Sequence, residues 1–177
     1  MGTNTDPYQP LEKKLRITRS ILEALRDFRH PVAIVTKSPL ILGDLDILSE
    51  IAAMELAKAA LFVTTLDRKL ARVMEPRAGT PARRLQAVRG LTDAGISAGV
   101  MFTPAIPALN DHEMEVVLEA AKAAGSRSEG YVPLRLPPKG AGHGEQGFVP
   151  GIAENQSSRP GPSCDDAGAP DAQRKGL

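Results

Sequence analysis

The chain has 177 residues, which favours a single domain, and its formal net charge of +1 gives no electrostatic reason to expect nucleic acid or a membrane surface as a partner. Aromatic residues make up only 3% and tryptophan is absent, which argues against a base-stacking platform. The sequence shows neither an apolar run near the roughly 20 residues of a membrane helix nor a secretory signal, so we expect a cytoplasmic protein with no membrane segment.

The first half of the chain alternates between helix and strand patterns. Apolar residues recur every three or four positions over 11–29, which predicts a helix that Pro31 ends. A short apolar run predicts a strand over 32–36, and helical spacing returns over 44–58. A second strand is predicted over 60–64.

The second half continues the alternation. A helix over 80–94 begins with Thr80 and Pro81, a cap followed by a proline at the first helical position, and it stops at Gly95. The remaining elements are predicted as a strand over 97–102, a helix over 111–124 and a strand over 131–135. Pro133 has no N–H to donate, so we expect it at a bulge or beside an unpaired sheet edge.

These elements predict the fold class. Short apolar strands separated by helices, at a spacing of about 30 residues, are typical of βαβ units in a parallel sheet. No strand is followed by a Gly-x-Gly-x-x-Gly turn, which argues against a dinucleotide-binding fold. We therefore predict an α/β protein, with a partial (βα) barrel over residues 1–137 favoured over an open sheet; periodicity alone leaves both open.

Residues 138–177 have a different composition, with eight glycines, five prolines and almost no apolar periodicity. Such a segment buries too little surface to offset its ordering entropy, so we predict a disordered tail. The single cysteine, Cys164, lies there and excludes an internal disulfide or a metal cluster held by cysteines of this chain alone. The three histidines show no ligand spacing, so no metal site is predicted.

Polar residues follow each predicted strand, which is where parallel barrels carry their functional groups. Residues 2–8 look like a strand exit without its strand, and Asp6 there is suited to an ammonium group. Lys37, after the strand over 32–36, is suited to a carboxylate or phosphate. Each has a structural alternative: an ordinary Asp-Pro turn for Asp6, and a solvated loop lysine for Lys37.

The later exits carry Thr64 and Thr65, a proline-stiffened loop over 103–111 that could form an apolar wall, and Arg135. Together the exits predict a shared pocket without identifying its ligand. A basic patch formed by Arg72, Arg77, Arg83 and Arg84 is the one local indication of nucleic acid, and most such patches are solvated helix faces.

Several strings occur together and in order: residues 2–10, 30–38, 64–67, 75–77 and 104–111. In combination they closely resemble the radical S-adenosylmethionine (radical SAM) proteins of the spore-photoproduct-lyase-like group, often labelled DNA repair photolyases. The resemblance covers about residues 2–137. It implies a partial barrel of six βα units, S-adenosylmethionine (SAM) and a [4Fe–4S] cluster as cofactors, and cleavage of SAM to a 5′-deoxyadenosyl radical.

The resemblance also implies roles for individual residues. Thr5 and Asp6 match the motif that holds the SAM amino group, and Lys37 and Ser38 match the exit that meets the SAM carboxylate. Thr65 matches a polar position near the carboxylate or ribose. The remaining matches are Pro104 and Ile106 beside the adenine, and Arg135 on the last strand.

The departures from the family are equally specific. The Cys-x-x-x-Cys-x-x-Cys loop and the first βα unit are absent, so we expect a barrel truncated at both ends, inactive by itself and prone to self-association through exposed sheet edges. A frameshift or gene fragment is one hypothesis for this. The alternatives are a degenerate barrel that binds SAM or a nucleoside without catalysis, and a non-functional remnant. Whether the chain is an enzyme, and whether its chemistry is lyase-like, stays open.

Overall fold

The described part of the chain is built on a four-stranded parallel sheet. In this computed structural model, residues 1–2 and 4–135 are described, so Cys164 and the predicted tail lie outside them. The strands follow one another in space in chain order, β1 (Val32–Thr36), β2 (Ala57–Phe62), β3 (Ser97–Ala105) and β4 (Ser128–Pro133). All three pairings are parallel, which confirms the predicted α/β class.

Helices connect the strands. They are α1 (Glu12–Leu15) and α2 (Ile17–Asp27) before β1, α3 (Leu45–Ala53) before β2, α4 (Arg68–Met74) and α5 (Pro81–Asp93) before β3, and α6 (Met114–Ala123) before β4. Short 3-10 turns at Pro39–Asp44 and Asp111–Glu113 lead into α3 and α6. In the described residues, no helix is long and apolar enough to cross a membrane.

Several predicted bounds were wrong. The helix expected over 11–29 is two helices, because Arg16 takes a left-handed conformation (φ 50°) and the Glu12 carboxylate accepts the Thr18 N–H at 2.6 Å, starting a new helix. Helix α4 was not predicted. Strand β2 begins three residues earlier than expected, β3 runs three residues further, and β4 begins and ends earlier.

Among the described residues, helices cover one face of the sheet, and most side chains on the other face are only partly buried. In β1, Val32 and Ile34 are buried in the core while Ala33 between them is exposed. The buried face packs against α3, α5 and α6 through residues such as Ile51 and Leu91. A doubly wound sheet carries helices on both faces, whereas a barrel carries them on its outside only. The alternation therefore favours the partial barrel.

The two edges of the sheet differ. At the β4 edge, Pro133 pairs with Ala105 beyond a register shift between Phe102 and Ala105, which agrees with the expectation that Pro133 lies at a bulge or beside an unpaired edge. At the β1 edge, the Met1 ammonium group donates to Ala33 O at 2.6 Å and Met1 O accepts the Val35 N–H at 2.9 Å. The N-terminal residues thus add a short stretch of parallel pairing beside β1.

Candidate functional site

The Asp6 carboxylate connects the N-terminal segment to the end of β1. Asp6 Oδ1 accepts the Tyr8 N–H at 2.8 Å and the Thr36 hydroxyl at 2.6 Å, and Oδ2 accepts the Lys37 N–H at 2.8 Å. A carboxylate offers about four acceptor positions, so three are in use and about one is left. Asp6 thus fixes the N-terminal segment to the end of β1 while keeping room for one more donor.

Lys37 presents its ammonium group at this end of the sheet. Its Nζ lies 2.6 Å from Glu75 Oε1 and 5.6 Å from the centre of the Phe62 ring, and its side chain is 37% exposed. An ammonium group has three N–H donors, so the contact with Glu75 leaves two. Ser38, the next residue, accepts the Leu40 N–H at 3.3 Å and begins the 3-10 turn.

Glu75 is held by a buried arginine. Arg84, only 2% exposed, donates to Glu75 Oε2 at 2.5 Å, to Gly79 O at 2.7 Å and to Phe62 O at 2.8 Å. Burial raises the pKa of the Glu75 carboxyl, but contacts with Lys37 and Arg84 outweigh it and bring this pKa below its usual value. We expected Arg84 in a solvated basic patch; that was wrong, because the guanidinium finds three acceptors inside the protein.

The exits of β2 and β3 are joined by Asn110, which is fully buried. Its amide Nδ2 donates to Thr64 O at 2.7 Å and to Pro104 O at 2.9 Å, and its Oδ1 accepts the Ile106 N–H at 2.7 Å. The loop that carries Pro104 and Ile106 is therefore shaped by one side chain. Pro104 follows a cis peptide bond and belongs to β3 itself.

Thr65 is fully buried next to this loop. Its hydroxyl donates to Glu113 Oε1 at 2.7 Å and accepts the Asp67 N–H at 3.0 Å, while Glu113 Oε2 accepts the Leu66 N–H at 2.9 Å. The Thr65 hydroxyl is thus already hydrogen-bonded to two protein groups. A ligand role for Thr65 would act through this contact with Glu113 or require it to rearrange.

Two of the predicted site residues lie on the protein surface. Thr5 and Arg135 are exposed, and within the described residues neither has a side-chain hydrogen bond or ion pair. Thr5 and Asp6 border a cavity of about 450 Å³ between the N-terminal segment and α2. Glu75 borders a second cavity of about 290 Å³ beside α4 and the start of α5, which Arg68, Lys69 and Arg72 also line. Lys37 lines neither of these two cavities.

The structure therefore brings Asp6, Lys37 and Ser38 together. It ties Thr65, Pro104 and Ile106 into a neighbouring hydrogen-bonded group. Sequence reasoning missed the roles of Glu75, Arg84, Asn110 and Glu113. Asn110 and Glu75 lay inside the strings that carried the resemblance, but no sequence pattern distinguishes a buried polar side chain from an exposed one.

A second polar group lies behind the N-terminal segment. The Tyr8 hydroxyl donates to Asp44 Oδ2 at 3.0 Å, and Arg19 contacts Asp44 at 3.1 Å and Asp46 at 2.7 Å. Burial and the nearby Asp44 carboxylate raise the pKa of Tyr8 well above its ordinary value. This group fixes α2 to α3 and lies outside the strand exits.

Sequence comparison places these features in a family. Residues 1–121 match the radical SAM superfamily. An uncharacterised protein of Mycobacterium tuberculosis is 33% identical over 128 residues, covering 71% of this chain and 38% of the relative. One from Methanocaldococcus jannaschii is 32% identical over 113 residues, covering 64% of this chain and 42% of the relative. The chain thus spans about two fifths of the length of these relatives.

Comparison with solved structures agrees on the fold. The crystal structure of Streptococcus suis SuiB is similar with a TM-score of 0.53 and 15% identity, covering 68% of this chain and 27% of SuiB. Its complex with S-adenosylmethionine gives a TM-score of 0.50 and 17% identity over 64% of this chain and 25% of SuiB. At such identity the likeness concerns the fold alone.

Proposed function

The chain belongs to the radical SAM superfamily, and from that premise we propose that its strand exits form the SAM-binding part of a radical SAM barrel. The observation that carries the proposal is that Asp6 and Lys37 meet at the end of β1, where Asp6 accepts the Lys37 backbone N–H. The Asp6 carboxylate and the Lys37 ammonium group, which contacts Glu75, therefore belong to the same end of the sheet, each with bonding capacity left. The amino acid end of SAM carries the complementary pair, an ammonium group and a carboxylate.

The other residues take roles around this pair. Thr5 lies beside Asp6 at the ammonium end, and Ser38 lies beside Lys37 at the carboxylate end. Pro104 and Ile106 provide an apolar surface for the adenine, and the Asn110 contacts keep that loop in place. Thr65 supports the ribose side through Glu113, and Arg135 lies at the outer rim.

The solved SuiB structure bound to SAM supports the proposal, because it shows that a related fold accepts this ligand. When bound in such a barrel, SAM supplies the adenosyl group for radical chemistry. What this chain contributes is binding: charge complementarity from Asp6 and Lys37, and a loop shaped by hydrogen bonds.

The residues of this chain do not fit a [4Fe–4S] cluster. Such clusters are held by several cysteine thiolates, and the sequence has a single cysteine, Cys164. Within residues 1–2 and 4–135, no group of three or more His, Cys, Asp or Glu side chains could hold a metal ion. We therefore propose that this chain alone is inactive in radical chemistry. Iron analysis after anaerobic reconstitution should find essentially no bound iron, and one cluster per chain would contradict this.

Binding of SAM is tested by calorimetry on the full chain. Replacing Lys37 by alanine removes a charged hydrogen-bond donor and should weaken SAM binding by roughly 1.5–3 kcal/mol. Lys122→Ala, at an exposed position of helix α6, is the matched control and should leave the affinity unchanged. Equal affinities for the wild type and Lys37→Ala would remove Lys37 from the site.

An alternative is a barrel that binds a nucleoside and ignores the amino acid end of SAM. The apolar loop at Ile106 favours that reading, whereas the Asp6–Lys37 pair favours SAM. Comparable binding of adenosine and SAM would support the nucleoside reading. A lyase or DNA-repair activity is a further proposal from the sequence resemblance alone, tested with nucleic acid substrates once an active assembly is obtained.

Three proposals concern the partners and the location of the protein. The first is self-association through exposed sheet edges, and exposed apolar side chains near the N-terminus also favour it: Leu11 (58%) just before α1, Leu15 (54%) in α1, and Ile17 (55%) and Ile21 (42%) in α2. Sedimentation over a concentration series would test it, and a monomer at every concentration would contradict it. A cytoplasmic location is tested by fractionation of cells that produce the chain. Nucleic acid is a third partner to test, because the side chains of Arg72, Arg77 and Arg83 are exposed.

A further inference from the structure

We infer that Glu75 is a positioning residue that holds the Lys37 ammonium group ready for a carboxylate of the bound ligand. The inference rests on the proposed function and adds to it a residue that lies outside the predicted site. It is argued from three side chains, Arg84, Glu75 and Lys37, which form a continuous line from the protein interior to the strand exits.

The line begins at Arg84, which is buried and hydrogen-bonded to three acceptors inside the protein. Its guanidinium donates to two backbone carbonyls and to Glu75 Oε2, and the side chain is 2% exposed. A guanidinium has no acceptor and stays charged, so it fixes the Glu75 carboxylate in one orientation. Glu75, 10% exposed at its side chain, therefore directs its second oxygen toward Lys37 in a defined orientation.

That second oxygen serves Lys37. Oε1 of Glu75 is buried and lies 2.6 Å from Lys37 Nζ in an ion-pair contact, and no hydrogen bond of good geometry reaches Oε1 from any described residue. Arg84 and Lys37 carry one positive charge each and Glu75 carries one negative charge, so the three side chains have a net charge of +1. Because Lys37 is the most exposed of the three at 37%, the excess charge is available at its ammonium group.

Backbone packing keeps the two partners close. Gly79, whose carbonyl binds Arg84, lies against the Pro39 ring in the loop after β1. A Cβ at position 79 would stand 2.7 Å from Pro39 Cδ, closer than real Cβ contacts allow. The absence of a side chain at Gly79 thus lets the segment that carries Glu75 lie directly beside the segment that carries Lys37.

A competing reading makes Glu75 a rival of the ligand, since a carboxylate bound to Lys37 occupies a donor that the ligand needs. The two readings predict opposite effects. If Glu75 positions Lys37, its removal frees the lysine side chain and leaves Arg84 to repel it, so ligand binding weakens. If Glu75 competes, its removal tightens binding.

The test compares SAM with 5′-methylthioadenosine, which lacks the amino acid end, by calorimetry on the full chain. Glu75→Gln should weaken SAM binding about tenfold, a typical coupling between residues in contact, and leave methylthioadenosine binding unchanged. In the Lys37→Ala background the same change should have no further effect. Glu50→Gln, which removes a carboxylate paired with Arg26 on the surface, is the matched control.

Each result is decisive. Unchanged or tighter SAM binding by Glu75→Gln overturns the inference, as does equal weakening of both ligands, which would indicate general damage to the fold. If Glu75→Gln does not fold, Glu75→Asp keeps the charge and draws it away from Lys37, and it should weaken SAM binding alone. Failure of the wild type to bind SAM refutes the proposed function itself. SAM binding that depends on Lys37 and not on Glu75 refutes only this inference.

Discussion

Removal of the Asn110 side chain is expected to be among the costlier single changes in the described part of the chain. Asn110 is fully buried and makes three hydrogen bonds to the backbone of Thr64, Pro104 and Ile106. A hydrogen bond contributes about 1 kcal/mol net, and a buried group left without a partner costs about 1–3 kcal/mol. Allowing for partial access of water to the freed groups, Asn110→Ala should lower the free energy of unfolding by roughly 2–4 kcal/mol.

Urea unfolding followed by far-ultraviolet circular dichroism at low protein concentration measures this change. With a slope of roughly 2 kcal/mol per molar urea, the midpoint should fall by roughly 1–2 M. Asn110→Asp should cost more than Asn110→Ala, because it turns an oxygen toward the carbonyls of Thr64 and Pro104 in place of two N–H donors. Gln86→Ala removes an exposed amide on α5 and should change stability by no more than about 0.5 kcal/mol. If Asn110→Ala behaves like this control, the loop does not depend on Asn110 and the reasoning is refuted.

Three further predictions concern charge and backbone packing. Because ion pairs lower the pKa of Glu75, its contribution to stability is present at neutral pH and is lost as the pH falls through that lowered pKa. On acidification below about pH 4.5, the urea midpoint of Glu75→Gln should therefore fall less than that of the wild type. Midpoints that fall in parallel for the two proteins would contradict this. Hydrogen bonding to Arg19 lowers the pKa of Asp46 to about 2, yet its side chain is 60% exposed, so Asp46→Asn should cost less than about 1 kcal/mol at neutral pH, with the difference from wild type fading as the pH falls toward 2 and shrinking in high salt. Gly79→Ala should destabilise by about 1–3 kcal/mol through its collision with Pro39, whereas Gly43→Ala, with open space around the new methyl group, should be neutral or slightly stabilising; equal melting temperatures would count against the close approach.

The sequence predicted the elements best where one local signal was strong. Strand β1 was placed correctly because a compact apolar run follows Pro31. Strand β2 was misplaced because its first residues, Ala57 to Ala60, include three alanines and a lysine, which carry little strand signal. Helix α4 was missed because it is seven residues long and only Ala71 is buried, so its apolar stripe is too short to recognise.

The candidate site was predicted at the level of strand exits, and its second layer was not. Asp6 and Lys37 were expected at the same edge, and the hydrogen bond between Asp6 and the Lys37 amide joins them directly. Arg84 was expected in solvent. Its burial could not be predicted, because it depends on hydrogen bonds to the carbonyls of Phe62 and Gly79 that form only in the folded chain. Whether a charged side chain is buried depends on tertiary contacts, and the helical spacing of residues does not predict it.

The hydrogen bonds that Asp6 accepts at the end of β1 make hydrogen exchange at the Lys37 amide a measure of how firmly the N-terminal segment is attached. The Lys37 amide hydrogen is bound to a side-chain carboxylate from the N-terminal segment, and the Val35 N–H donates to Met1 O of the same segment, whereas the Val32 N–H donates to Leu56 O beside β2. Deuterium uptake at the Lys37 amide therefore follows the attachment of residues 1–8 and is separate from opening of the sheet. Slow exchange at the Lys37 and Val35 amides would mean that the N-terminal segment stays attached to β1, and a ligand that engages Asp6 should change the exchange rate of the Lys37 amide.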